Sequence, residues 1–180
     1  MSYSSRDIIF GSSIDVKATD QVKSLWEKAR VTTDPIVKFD YLVKGWDRLS
    51  GEFFPDVEAS GHRFKKLTGL CTGTARSRSI DELMSRVSSP IKDDLEPFAK
   101  DAERNFKKAE RMLREHRKGR QPDHVLLESV GTLLWTVRSN SMHGRKTPSG
   151  PAEPTNRDEQ ICGLGAKVME DLYKCAFPSW

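Results

Sequence analysis

Two residues in "WTVRSNSMHGRK" (135–146), Arg138 and His143, are of the types that handle phosphate chemistry, and they stand five positions apart where an otherwise apolar helix is predicted to end. A guanidinium holds phosphate oxygens through a planar fork, and an imidazole with a pKa near about 6.5 moves a proton at neutral pH. On an uninterrupted helix, at about 100° per residue, the two would lie roughly 140° apart and share no face. Gly144 follows the histidine directly, so a last turn that unwinds there lets His143 swing toward Arg138. The pair then supplies the parts for cleaving RNA without a metal. The ribose 2′-hydroxyl attacks the adjacent phosphate, His143 handles a proton on the attacking or leaving oxygen, and Arg138 offsets charge on the phosphorane. Arg145 and Lys146 come next and can track the backbone of a single strand. The same spacing also suits a histidine that only meets the carbonyls and negative dipole at a helix end. No Asp, Glu, His or Cys cluster with metal-ligand spacing accompanies the pair, so neither metal nor cofactor is expected.

The elements that must position this pair read as helices. Apolar residues recur at three and four along most of the chain, and strand-like alternation is scarce, which predicts an all-α fold. The helix that carries the motif is the clearest: Pro122 and Asp123 open it, and Leu126, Leu127, Val130, Leu133, Leu134 and Val137 follow at the helical period. "GRKTPSGPAEPTNRDEQ" (144–160) is a loop rich in proline and glycine, and a last helix from about Asn156 carries Ile161, Leu164, Val168, Met169 and Leu172.

Upstream, Asp15 or Asp20 caps a short helix bearing Val22, Leu25, Trp26 and Ala29, and Asp34 with Pro35 starts an aromatic-rich helix stopped by Pro55. Residues 56–79 give weak signals: one or two turns around Phe64, Leu67 and Leu70, then a loop over 71–78. Ser79 and Glu82 are spaced as a capping box. Pro90 opens a long polar helix that Pro97 kinks or divides, and Gly119 to Asp123 turn the chain into the motif helix.

Bulk properties set the frame. The 180 residues suit one compact domain, 14–180, behind a loose tail over 1–13. Hydrophobic residues make up 36% and charged residues 31%, a composition that folds. The net charge of +4, with 26 acidic among 30 basic residues, permits an anionic partner such as RNA but excludes a histone-like tail. Cys71, Cys162 and Cys175 lack C-x-x-C spacing, which argues against a zinc site or a disulfide framework and for reduced thiols in a cytoplasm. The amino terminus is too polar for a signal peptide, and nothing approaches the roughly 20 apolar residues of a membrane span. His62, His116 and His124 read as solvated, the cations of "HRKGRQ" (116–121), Arg63, Lys65, Lys66, Arg76 and Arg78 as solvated charge, and Trp46 and Trp135 as core.

"VRSNSMHGRK" after an apolar helix, backed by a loop and a final amphipathic helix, resembles the signature of HEPN domains (higher eukaryotes and prokaryotes nucleotide-binding), whose members often read approximately R-N-N-L-F-H-G-G-K. Arg138, Asn140, His143, Gly144 and Lys146 match that pattern, and "DPIVKFDYLVKGWDRLSGEFF" (34–54) is similar to an early helix of such proteins. The resemblance implies an all-α, HEPN-like bundle of about five to seven helices and a metal-independent endoribonuclease in a toxin, defence or RNA-processing role. Arg138 and His143 would be its catalytic pair, with Asn140 and Ser139 supporting. It also implies a homodimer with two motifs facing one cleft, RNA as substrate, and an antitoxin or regulatory protein as a further partner. Other members of the family keep the fold without activity, so a nucleotide-binding, RNA-binding or protein-interaction module is the alternative, and a purely structural helical adaptor a third.

Overall fold

In the computed structural model of the chain, residues 16–87, 99–142, 156–178 and 180 are described. Among them are seven α-helices and no strand: α1 Val16–Val31, α2 Pro35–Phe53, α3 Ser60–Leu70, α4 Arg78–Val87, α5 Ala99–Arg117, α6 Asp123–Met142 and α7 Asn156–Ala176. The fold is therefore the all-α bundle that the periodicity predicts. The tail over 1–13, Pro90, Pro97 and the loop over 144–155 lie outside the described residues, as do His143, Arg145 and Lys146.

Helix α2 forms where its local chemistry dictates. Asp34 sits in extended backbone and its Oδ1 accepts from the N–H groups of Ile36 and Val37, at 2.8 and 3.0 Å. Pro35 occupies the first turn, where its missing N–H costs nothing. The face that follows buries Phe39, Leu42, Val43, Trp46 and Leu49 completely or almost so, each worth about 1.5–3 kcal/mol relative to exposure. Helix α1 is longer than the short helix predicted and encloses Asp20, which is thus not its cap. Val22, Trp26 and Ala29 are its buried residues.

Helices α3 and α6 cross in the most extensive contact of the bundle. Here the structure departs from expectation, because α3 is a full helix of 11 residues rather than a turn or two. Its Phe64 and Leu67 are fully buried, so tertiary packing overrides a sequence weakened by Gly61 and Gly69. Glycines let the backbones close. A Cβ on Gly131 of α6 would stand 3.0 Å from Lys65 Cα and from Thr68 of α3. Thr68 also ties α3 to α2, since its Oγ1 accepts from Trp46 Nε1 at 3.2 Å and donates to the Phe64 carbonyl at 2.9 Å.

Helix α7 closes the bundle against α2 and α4. Tyr173 is its central side chain: fully buried, stacked on Trp26 at 5.0 Å, edge-on to Trp46 at 5.1 Å, and donating its hydroxyl to the Leu42 carbonyl at 3.0 Å. Phe177 and Trp180 stack at 4.1 Å and dock the carboxyl end.

Three further readings are corrected. Residues 71–78 are not all loop, since Thr72–Thr74 make a 3-10 turn and α4 begins at Arg78. Ser79 lies within the first turn of α4 and does not cap it. Ser77 does so, its Oγ accepting from Ser79 N–H at 3.2 Å, while the Ser79 hydroxyl donates to Asp171 of α7 at 2.6 Å. His116 is buried rather than solvated, and its Nε2 lies 2.6 Å from Asp123 Oδ1 at the start of α6. That pair joins the two helices on either side of Gly119, whose φ of +69° makes the turn.

Candidate functional site

Arg138 lies one turn from the end of α6, which runs through Met142 and so reaches the residue before His143. The stripe below it anchors the helix: Leu126, Leu127, Val130, Leu133 and Leu134 are buried. Asn105 of α5 adds a polar brace by donating from Nδ2 to Thr136 Oγ1 at 3.0 Å.

The Arg138 guanidinium is set by an aromatic platform three residues back on the same face. Its Cζ stands 4.7 Å from the centroid of the Trp135 ring. Trp135 is itself held from below by Phe64 at 5.4 Å and by Gly61 of α3, where a Cβ would come within 3.0 Å of the indole Nε1. The ring is half-buried, which keeps one side against α3 and leaves room for a cation on the other.

Helix α2 contributes a carboxylate, Asp47, that feels the Arg138 charge. Burial pushes its pKa above the ordinary 3.8, while the positive charges of Arg138 and Arg63 pull it down without overcoming that cost. Asp47 Oδ1 is buried and accepts no hydrogen bond among the described residues. Arg63 of α3 is fixed by its own turn, Nη1 donating to the Val57 carbonyl at 3.0 Å and Nη2 to Ser60 Oγ at 3.1 Å. Residues from three helices are thus linked electrostatically, since the Asp47 carboxylate feels the charges of both Arg138 and Arg63. The cluster carries one net positive charge when Asp47 is ionised and two when it is protonated.

Of the residues singled out from the sequence, Arg138 is in this cluster, and it is half-buried rather than freely accessible. Ser139 follows it on α6 and is also half-buried, and Asn140 belongs to the last turn of the same helix. Asp47 was not expected, and Arg63, which the sequence suggests is solvated charge, is instead half-buried and hydrogen-bonded to its own turn. Their signal is faint but present: each places a charge on the flank of an apolar helical face, Asp47 one turn from Val43 and Arg63 one turn from Leu67. Opposite charges on two such flanks point to each other.

Several other cations have simpler settings. Arg117 pairs with Asp81, Lys118 and Arg120 with Glu115, and Arg78 with Glu82, all at exposed or partly exposed positions. Lys66 lies over the Phe54 ring at 5.7 Å. His62 and His124 are exposed. Among the described residues no group of three or more His, Cys, Asp or Glu is placed to hold a metal ion, and no helix is long and apolar enough to cross a membrane. Compared with known protein families, with curated proteins and with solved structures, the chain matches none.

Proposed function

We propose that the chain is a HEPN-type, metal-independent endoribonuclease, with Arg138 and His143 as catalytic pair, Asn140 and Ser139 supporting, and Arg145 and Lys146 tracking the RNA backbone. The observation that supports this reading best is the seating of Arg138. A guanidinium held over the Trp135 ring in the last turns of α6, its charge felt by Asp47 together with that of Arg63 from α3, is the kind of group that takes a phosphate. In that role Arg138 stabilises the phosphorane, His143 transfers the proton, and the substrate's own 2′-hydroxyl is the nucleophile. Arg63 adds positive potential, and Asp47 limits how far the two cations repel each other.

A homodimer, which would bring two such clusters to one cleft, belongs to the same proposal, as does a toxin, defence or RNA-processing role under an antitoxin or regulatory partner. The test is incubation of the purified chain with a mixed RNA pool in EDTA, with Arg138→Ala and His143→Ala alongside. Cleavage by the wild type alone supports the reading, and equal cleavage by all three overturns it.

The second reading is a non-catalytic module of the same fold that binds a nucleotide, an RNA or a protein. The half-burial of Arg138 and its compensation by Asp47 favour it, because a structural arginine would be held the same way. RNA binding that persists in His143→Ala without cleavage by the wild type would establish it.

A further inference from the structure

A second cluster, remote in sequence from the motif, joins the 3-10 turn to the end of α7. Cys71 sits just before that turn, completely buried, and its Sγ lies 3.8 Å from the Leu172 carbonyl, one helical turn before Cys175. Cys175 is also the neighbour that acts most strongly on the Cys71 thiol, raising its pKa. Cys175 is half-buried and, with Thr72, Gly73, Asp171 and Lys174, lines an open cleft of about 650 Å³. Gly73 has no side chain to cover the sulfur, since even a Cβ there would sit 3.5 Å from Cys175 Sγ. The third cysteine, Cys162, is buried two-thirds of a helix away on α7 and lines no part of that cleft.

We propose that Cys175 is an oxidant-reactive thiol lining this cleft and that Cys71 resolves it, so that hydrogen peroxide converts the pair into an intramolecular disulfide. The side chain of Cys175 and then burial push the Cys71 thiol up, so it waits protonated, while Cys175 is the one that the cleft exposes. The order of events follows. Cys175 sulfur attacks one peroxide oxygen, the O–O bond breaks, and the departing hydroxide leaves as water with the thiol proton, giving a sulfenic acid. Cys71 sulfur then attacks Cys175 sulfur, the S–O bond breaks, and hydroxide departs as water with the Cys71 proton. Two thiols lose two electrons and one peroxide becomes two waters. Lys174 brings a positive charge to the same cleft, while Asp171 is engaged through Oδ2 by the Ser77 and Ser79 hydroxyls.

The test treats the full chain with hydrogen peroxide, quenches it and counts thiols after denaturation. The expected count falls from three to one, the intact mass drops by two hydrogens, and one proteolytic product joins the Cys71 and Cys175 peptides. Cys175→Ser should keep both of its remaining thiols under the same exposure. Cys71→Ser should stop at the sulfenic acid, which dimedone traps once per chain. Loss of Cys162 at the same rate, disulfides between chains, or a count that stays at three while free glutathione in the same tube is oxidised would each overturn the proposal. The wild-type measurement decides the matter even if a variant fails to fold.

Discussion

Arg138 stands over the ring of Trp135 with 4.7 Å between guanidinium carbon and ring centroid, and both belong to the last turns of α6. The indole contact restrains the guanidinium in the folded state. Trp135→Ala should remove that platform together with the contacts to Phe64 and Gly61. Urea unfolding should show a loss of about 2 kcal/mol or more, in the lower range for aromatic truncation because the ring is half-buried. RNA cleavage should fall at least tenfold at a temperature where the variant is folded.

Arg138→Lys separates charge from shape. The ammonium keeps the positive charge but neither forks nor stacks as a guanidinium does. RNA binding at low salt should persist, while kcat drops by about two orders of magnitude, as for loss of one donor to a developing oxyanion. Equal loss of binding and turnover would mean that Arg138 acts through charge alone.

Asp47 makes a prediction in pH. Its carboxyl is held above the ordinary 3.8, so the folded state takes up the proton more readily than the unfolded chain. The sign follows by linkage: this group's contribution to stability is fully present below its unfolded pKa and is lost as pH rises through the raised folded value. Asp47→Asn should abolish that decline, leaving a flatter profile in urea titrations over mildly acidic pH. A profile identical to that of the wild type would show that the carboxyl is not desolvated.

The glycine contact between α3 and α6 is testable directly. Gly131→Ala improves helix propensity by about 1 kcal/mol, yet its methyl would press on the Lys65 Cα, which is backbone and cannot rotate away. Overpacking of this kind costs about 1–3 kcal/mol. The expected outcome in denaturant unfolding is net destabilisation, and a gain in stability would mean that the helices separate freely.

These contacts also explain what could be read from the sequence. Helices α2 and α6 were legible because each carries its instructions locally: a cap and proline at Asp34–Pro35, and a stripe from Leu126 to Leu134 at the helical period. Helix α3 was not, because Ser60–Leu70 is stabilised by close approach to α6 through glycines, which local propensity scores as defects. The Ser79 hydroxyl failed because its partner, Asp171, comes from elsewhere in the fold, and His116 because the Gly119 turn folds Asp123 back onto it. At the site, Arg138 stood out by its spacing to His143, whereas Asp47 and Arg63 acquire meaning only when α2 and α3 are placed beside α6. The motif's other half, His143 with Arg145 and Lys146, lies outside the described residues, and its role is for experiment.

That experiment compares two substrates of one sequence, an RNA strand and the same strand with a single 2′-deoxyribose at the cleavage position, incubated with the wild-type chain in EDTA. The account predicts that the RNA is cut to a product ending in a 2′,3′-cyclic phosphate, that the 2′-deoxy strand stays intact at that position, and that Arg138→Ala and His143→Ala leave both strands whole. Equal cutting of the two strands, or cleavage of the RNA that EDTA abolishes and magnesium restores, would contradict it.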